Sequence, residues 1–186
     1  MNPIFFVVFV LSNWTRAQLP FQVQFGQSAM GRNVTICIDG RQVKQTFAGK
    51  LNFQDERHSW QSVCADVRTP VRSGQVFTAR VVNSLEYGGN IAKAGNIVAK
   101  YFKFAQTPDQ CAGLQIAVWK ALEDGSSQPD FGSGHFQVRA SQTVIAYAQQ
   151  YYQAINEPGQ AAYIQNVPGP STNVAFPAAQ SQLSTN

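Results

Sequence analysis

The chain has 186 residues, 44% of them hydrophobic and 13% charged, and its formal net charge is +4. That length suits one domain with tails, and the apolar share is sufficient for a core. The basic side chains form no run, which argues against a nucleic-acid footprint, and no set of His, Cys, Asp and Glu has metal-ligand spacing, so neither a metal nor a cofactor is expected.

The N-terminus opens on an apolar run, Ile4 to Leu11, too short to span a bilayer as a helix. Small residues follow at Thr15 and Ala17, and residues 1–17 read as a secretory signal peptide, although Met1-Asn2-Pro3 lacks the usual basic residue. A buried first strand is the competing reading. Few charges and many Gln, Ser, Thr and Asn fit an exported protein better than a cytosolic enzyme. No second stretch is long enough for a membrane span.

From Phe21 the sequence alternates. Phe21 to Phe25, Val34 to Ile38, Val43 to Phe53, Ser59 to Cys64 and Gln75 to Val82 read as about five antiparallel strands. Asp39-Gly40 is a tight hairpin signal, and a slip in the alternation near Gly49 suits a bulge. Asp55 to Arg57 and Pro70 to Gly74 are further turns.

The period then changes. Ile91, Ala94, Val98, Tyr101 and Phe102 share one helical face. Thr107-Pro108-Asp109-Gln110 opens a second helix with a capping box and a proline at its first position, and Gly125 stops it. After a Gly- and Ser-rich loop over residues 124–134, a third helix places Val144, Tyr147, Ala148, Tyr151, Tyr152 and Ile155 on one face, up to Pro158-Gly159. Ala161 to Gln165 suits a last strand, and residues 168–186 read as a disordered tail or linker. Strands followed by helices give an α+β fold, with an antiparallel β-sandwich or barrel-like half and a three-helix half, in one domain over residues 18–167.

One residue disturbs the second helix. At about 100° per residue, Cys111, Leu114, Val118, Trp119 and Leu122 form an apolar arc, and Gln115 falls inside it, while Lys120 and Glu123 lie elsewhere. A buried carboxamide without partners costs about 1–3 kcal/mol, so something must satisfy it or use it. Three readings follow: a glutamine bonded to nearby backbone, a ligand contact in a cleft, or an electrophile whose amide carbon a cysteine thiolate attacks, expelling ammonia and leaving an internal thioester.

Leu114-Gln115-Ile116-Ala117-Val118-Trp119 resembles the Thr-Gln-Xaa-Ala-Ile-Trp motif of bacterial surface thioester domains. Val63-Cys64-Ala65-Asp66, followed by Pro70, Gly74 and Val76-Phe77-Thr78, is similar to the cysteine segment of that family, and Phe47-Ala48-Gly49 to its aromatic-Ala-Gly strand. The pattern covers about residues 33–165, with Leu114 in place of the motif's Thr and with no wall-sorting signal. The resemblance implies a Cys64–Gln115 thioester and a secreted or cell-surface adhesion domain. Such a domain couples covalently to a surface protein or matrix component bearing a reactive amine, and it is not a turnover enzyme. In that assignment Cys37 and Cys111 are left to form a disulfide. The alternatives stay open: Cys64 bridged to Cys111 with Cys37 free, in a non-covalent, disulfide-stabilised secreted module, or Cys37 as the thioester cysteine through Cys37-Ile38-Asp39. His58 and His135 read as surface residues.

Overall fold

In the computed structural model the structure describes residues 5–6, 20–40, 42–126, 128–166 and 182–184. The fold is α+β. The strands are β1 (Phe5–Phe6), β2 (Phe21–Ile38), β3 (Gln42–Gln54), β4 (Ser59–Cys64), β5 (Val76–Asn83), β6 (Phe136–Arg139), β7 (Ala162–Asn166) and β8 (Gln182–Ser184). The helices are α1 (Ser84–Tyr87), α2 (Gly89–Tyr101), α3 (Pro108–Glu123) and α4 (Gln142–Tyr152), with a short 3-10 turn at Gln153–Asn156.

The strand neighbours run β7-β5-β2-β3-β4-β8, and β8 pairs back onto β7, so among the described residues six antiparallel strands form a closed circuit. β6 is added to the far half of β2, and β1 lies beside Gln165 and Asn166 of β7. The other residues of the expected signal segment lie outside the described residues. So does most of the expected tail, of which Gln182–Ser184 is strand β8.

Two alternating segments expected as separate strands are one. β2 runs unbroken from Phe21 to Ile38, with Phe21–Gln24 against β5 and Thr35–Ile38 against β6. The irregularities lie in β2, between Phe25 and Ser28 and between Ser28 and Met30, rather than at Gly49. Gly49 instead sits directly across from Gly31. A Cβ on Gly31 would lie 2.0 Å from the Ala48 carbonyl oxygen, and one on Gly49 would lie 2.2 Å from that of Met30. Only two glycines allow the backbones to cross this closely. Asp39 and Gly40 both take positive φ, 56° and 66°, as the hairpin signal requires.

β6 was not expected. Four residues straight after a Gly-Ser-Gly-His loop show too little alternation to separate from loop. α1 was also missed; the Asn83 side chain caps it by accepting from the Leu85 N–H at 2.9 Å.

α3 is the central layer. It packs on β2, β3, β4 and β6 on one side and on α2 and α4 on the other. Every residue from Cys111 to Ala121 is buried as a result. Lys120, expected outside the apolar arc, is only 3% exposed, with its ammonium on the Ser133 and Phe136 carbonyls and paired with Asp124. The capping box at the start of the helix is formed on both sides, Thr107 to Gln110 and back. Within the strands, Phe53 meets Phe25 at 5.3 Å and both Trp60 and Phe77 at 6.3 Å between ring centroids. Aromatic burial of this kind contributes about 1.5–3 kcal/mol per side chain.

Candidate functional site

The ladder between β3 and β4 runs from Gln54↔Ser59 to Lys50↔Val63 and stops there. The next pair in register would be Gly49 with Cys64, but the ladder does not reach it, and Gly49 faces Gly31 on its other side. The backbone of Cys64 finds another partner. Its N–H donates to Gln115 Oε1 at 2.6 Å, and its carbonyl accepts from Gln115 Nε2 at 2.7 Å. The carboxamide therefore serves Cys64 as a neighbouring strand would. Cys64 is 2% exposed and Gln115 1%. The two residues singled out in the sequence are in direct contact, 51 positions apart in the chain.

The thiol sits in the turn after β4. Cys64 Sγ donates to the Asp66 carbonyl at 2.8 Å and accepts from the Asp66 N–H at 3.3 Å. Asp66 holds the turn by accepting at Oδ1 from the N–H groups of Arg68 and Thr69. Lys44 Nζ donates to the Val67 carbonyl at 2.9 Å. Arg68 ties the turn to the rest of the fold through Asp39 at 2.9 Å and Glu123 at 2.6 Å. Trp119, one turn beyond Gln115, is buried, and its indole N–H has no hydrogen bond of good geometry to any acceptor; it lies against the Cys64 sulfur.

Burial, and then the Asp66 carboxylate, push the Cys64 thiol well above the usual thiol range. The Asp66 N–H, the Trp119 indole and the Lys44 ammonium pull the other way. At neutral pH the thiol is protonated and guarded from water, while the amide beside it is fixed in place. For one reaction a donor is already in place. The Cys64 N–H already donates to Oε1, the oxygen that would carry negative charge if Sγ added to the amide carbon.

All three cysteines are free thiols. Cys37 is half-buried in β2, between Val43 of β3 and Gln137 of β6, with the opposite facing to buried Ile36 and Ile38. Cys111 is buried at the start of α3 and donates to the Ala105 carbonyl at 3.2 Å. Beside it is the Lys50 ammonium, 4.2 Å from the centroid of the Phe102 ring. The structure thus brings Gln115 to Cys64 and not to Cys37. His58 and His135 lie at exposed turns, facing Asp55 and Asp39 at 3.4 Å and 3.2 Å.

Near the C-terminal end of α3 a surface depression of about 250 Å³ is lined by Lys120, Asp124, Asp130 and His135 among others. Among the described residues no group of three metal-ligating side chains comes together, and no helix is long and apolar enough to cross a membrane. Lys44 and Arg68 were missed in the sequence, since nothing in their local spacing marks them. Trp119 was readable, standing four residues after Gln115 on the same arc, but as a core residue and not as a donor. Comparison of the chain with protein-family models, with curated proteins and with solved structures finds no match.

Proposed function

We propose that this protein is an exported adhesion domain that forms an internal thioester between Cys64 and Gln115 and couples through it to a target amine. One observation carries the reading: the Gln115 carboxamide is held by both polar groups of the Cys64 backbone, buried, next to the thiol of the same residue. In the first step the Cys64 sulfur bonds to the Gln115 amide carbon, and the amide nitrogen leaves as ammonia with the thiol proton. In the second an amine attacks that carbon, a new amide forms, and the sulfur returns to the thiol. Exclusion of water protects the intermediate until an amine of the right shape reaches it. Secretion and a surface-protein or matrix target are part of this proposal and rest on the N-terminal apolar segment and the motif resemblance.

The test is coupling to a labelled primary amine. The wild-type chain takes up one label, and Cys64→Ala and Gln115→Ala take up none. Labelling that survives in either variant removes the assignment.

A second reading has its own support. Both ends of the carboxamide are satisfied, so Gln115 can serve solely to complete the ladder that ends at Lys50 and Val63, in a non-covalent secreted module. That reading expects an unmodified Gln115 and no coupling.

A further inference from the structure

The far side of the Cys64 sulfur has hydrogen-bonding groups of its own. Gln115 explains how the amide is held, but not what receives the thiolate when an amine displaces it in a buried site. Two N–H groups lie on that side, one bonded to the sulfur and one close to it without a bond of good geometry. The backbone N–H of Asp66 is 3.3 Å from Sγ. The indole N–H of Trp119, on a side chain 1% exposed, lies against the sulfur and has no hydrogen-bond partner. A buried donor left unused costs about 1–3 kcal/mol, so its position asks for an explanation. Trp119 and Gln115 are four residues apart on α3, and their side chains share a face. The helix that presents the amide therefore also presents this N–H.

We propose that the Trp119 indole N–H and the Asp66 backbone N–H form a cradle for the Cys64 sulfur that stabilises it as the leaving group when an amine opens the thioester. The proposal rests on the thioester reading. The step balances within named groups. The amine nitrogen bonds to the Gln115 carbonyl carbon, the carbon–sulfur bond breaks, and its electron pair goes to Sγ between the two donors. The extra proton on the attacking nitrogen then passes to the sulfur and restores the thiol. No oxidant or further reactant is needed. Lys44, fixed on the Val67 carbonyl, adds positive potential at the sulfur. The cradle does for the departing sulfur what the Cys64 N–H does for the carbonyl oxygen.

Trp119→Phe keeps a ring and removes the donor. With both proteins carrying the thioester, followed by intact mass, the cradle predicts that methylamine opens the variant about 10- to 100-fold more slowly, the value of one hydrogen bond to a charged group. A packing role alone predicts the reverse, since a loosened site admits water and amine faster. An equal or faster rate overturns the proposal. A second measurement needs no thioester and no stable Trp119 variant. The indole N–H resonance of Trp119 is compared between the wild-type chain and Cys64→Ala, each freshly purified. The cradle expects the proton to move when the sulfur is removed, and an unmoved resonance overturns it. A wild-type chain that never loses ammonia refutes the thioester reading by itself, and the cradle geometry is then decided on the indole resonance.

Discussion

Gln115 and Cys64 play unequal parts in stability even though both are needed for the proposed chemistry. Replacing Gln115 by Ala leaves the buried N–H and carbonyl of Cys64 without partners, and each unsatisfied group costs about 1–3 kcal/mol. Replacing Cys64 by Ala removes the sulfur with its two weak hydrogen bonds to the Asp66 backbone and keeps the backbone pair with Gln115. Chemical denaturation should therefore find Gln115→Ala destabilised by about 2 kcal/mol or more, and clearly more than Cys64→Ala. Equal losses would mean that the carboxamide does not complete the ladder. The sequence made both residues visible, because a polar side chain inside an apolar arc needs a reason. It did not show that the partner would be the backbone of Cys64, since nothing local marks that the ladder between β3 and β4 ends at Lys50 and Val63. The raised thiol has its own consequence. Ammonia loss from freshly refolded protein should accelerate by about tenfold per pH unit while the thiol remains protonated. A flat rate between neutral and alkaline pH would show that ionisation of Cys64 does not limit the step.

At the scale of elements, β3 and α3 position the site. Gly49→Ala puts a Cβ 2.2 Å from the Met30 carbonyl oxygen, which nothing short of backbone movement relieves. The loss should be at least about 2 kcal/mol, read as a lowered Tm, with Gly31→Ala matching it because the two face one another. A neutral Gly49→Ala would contradict the close crossing. The start of α3 is set by Thr107, whose replacement by Ala should cost about 1 kcal/mol by equilibrium unfolding. This helix was legible from end to end because its cap, its proline and its stop are all local. The long β2 was not. Its middle, Gly26 to Gly31, has little apolar alternation, and only pairing with β3 holds it as a strand. The full burial of α3 was hidden for a related reason, since the composition of one helix does not tell how many layers cover it.

At the scale of the molecule, the α+β plan followed from strands preceding helices, whereas the closure of the strand circuit depends on β8 pairing with both β4 and β7, contacts that no local pattern encodes. The pH range of the fold follows from groups spread over it. Arg68 and His135 hold the Asp39 carboxyl below the usual range, and Asp130 is held down by Ser133 and Gly132. Groups lowered by folding contribute above about pH 4, the unfolded carboxyl value, and that contribution is lost as pH falls through their folded values. Burial pushes Tyr151 and Tyr152 up to about 12. Their contribution is complete below about pH 10, the unfolded phenol value, and is lost as pH rises toward about 12. Unfolding followed by circular dichroism should thus show a plateau from mildly acid to mildly alkaline pH and an alkaline transition coinciding with tyrosinate absorbance. Ionisation of Tyr151 and Tyr152 at ordinary phenol values in the folded chain would contradict their burial.

The most direct test of the account is intact mass on freshly purified, denatured protein, before and after methylamine. The account predicts a chain lighter by one ammonia that gains one methylamine, with the modification on Gln115. A chain of unshifted mass that takes up no methylamine would contradict it and leave Gln115 as the buried partner of a strand end.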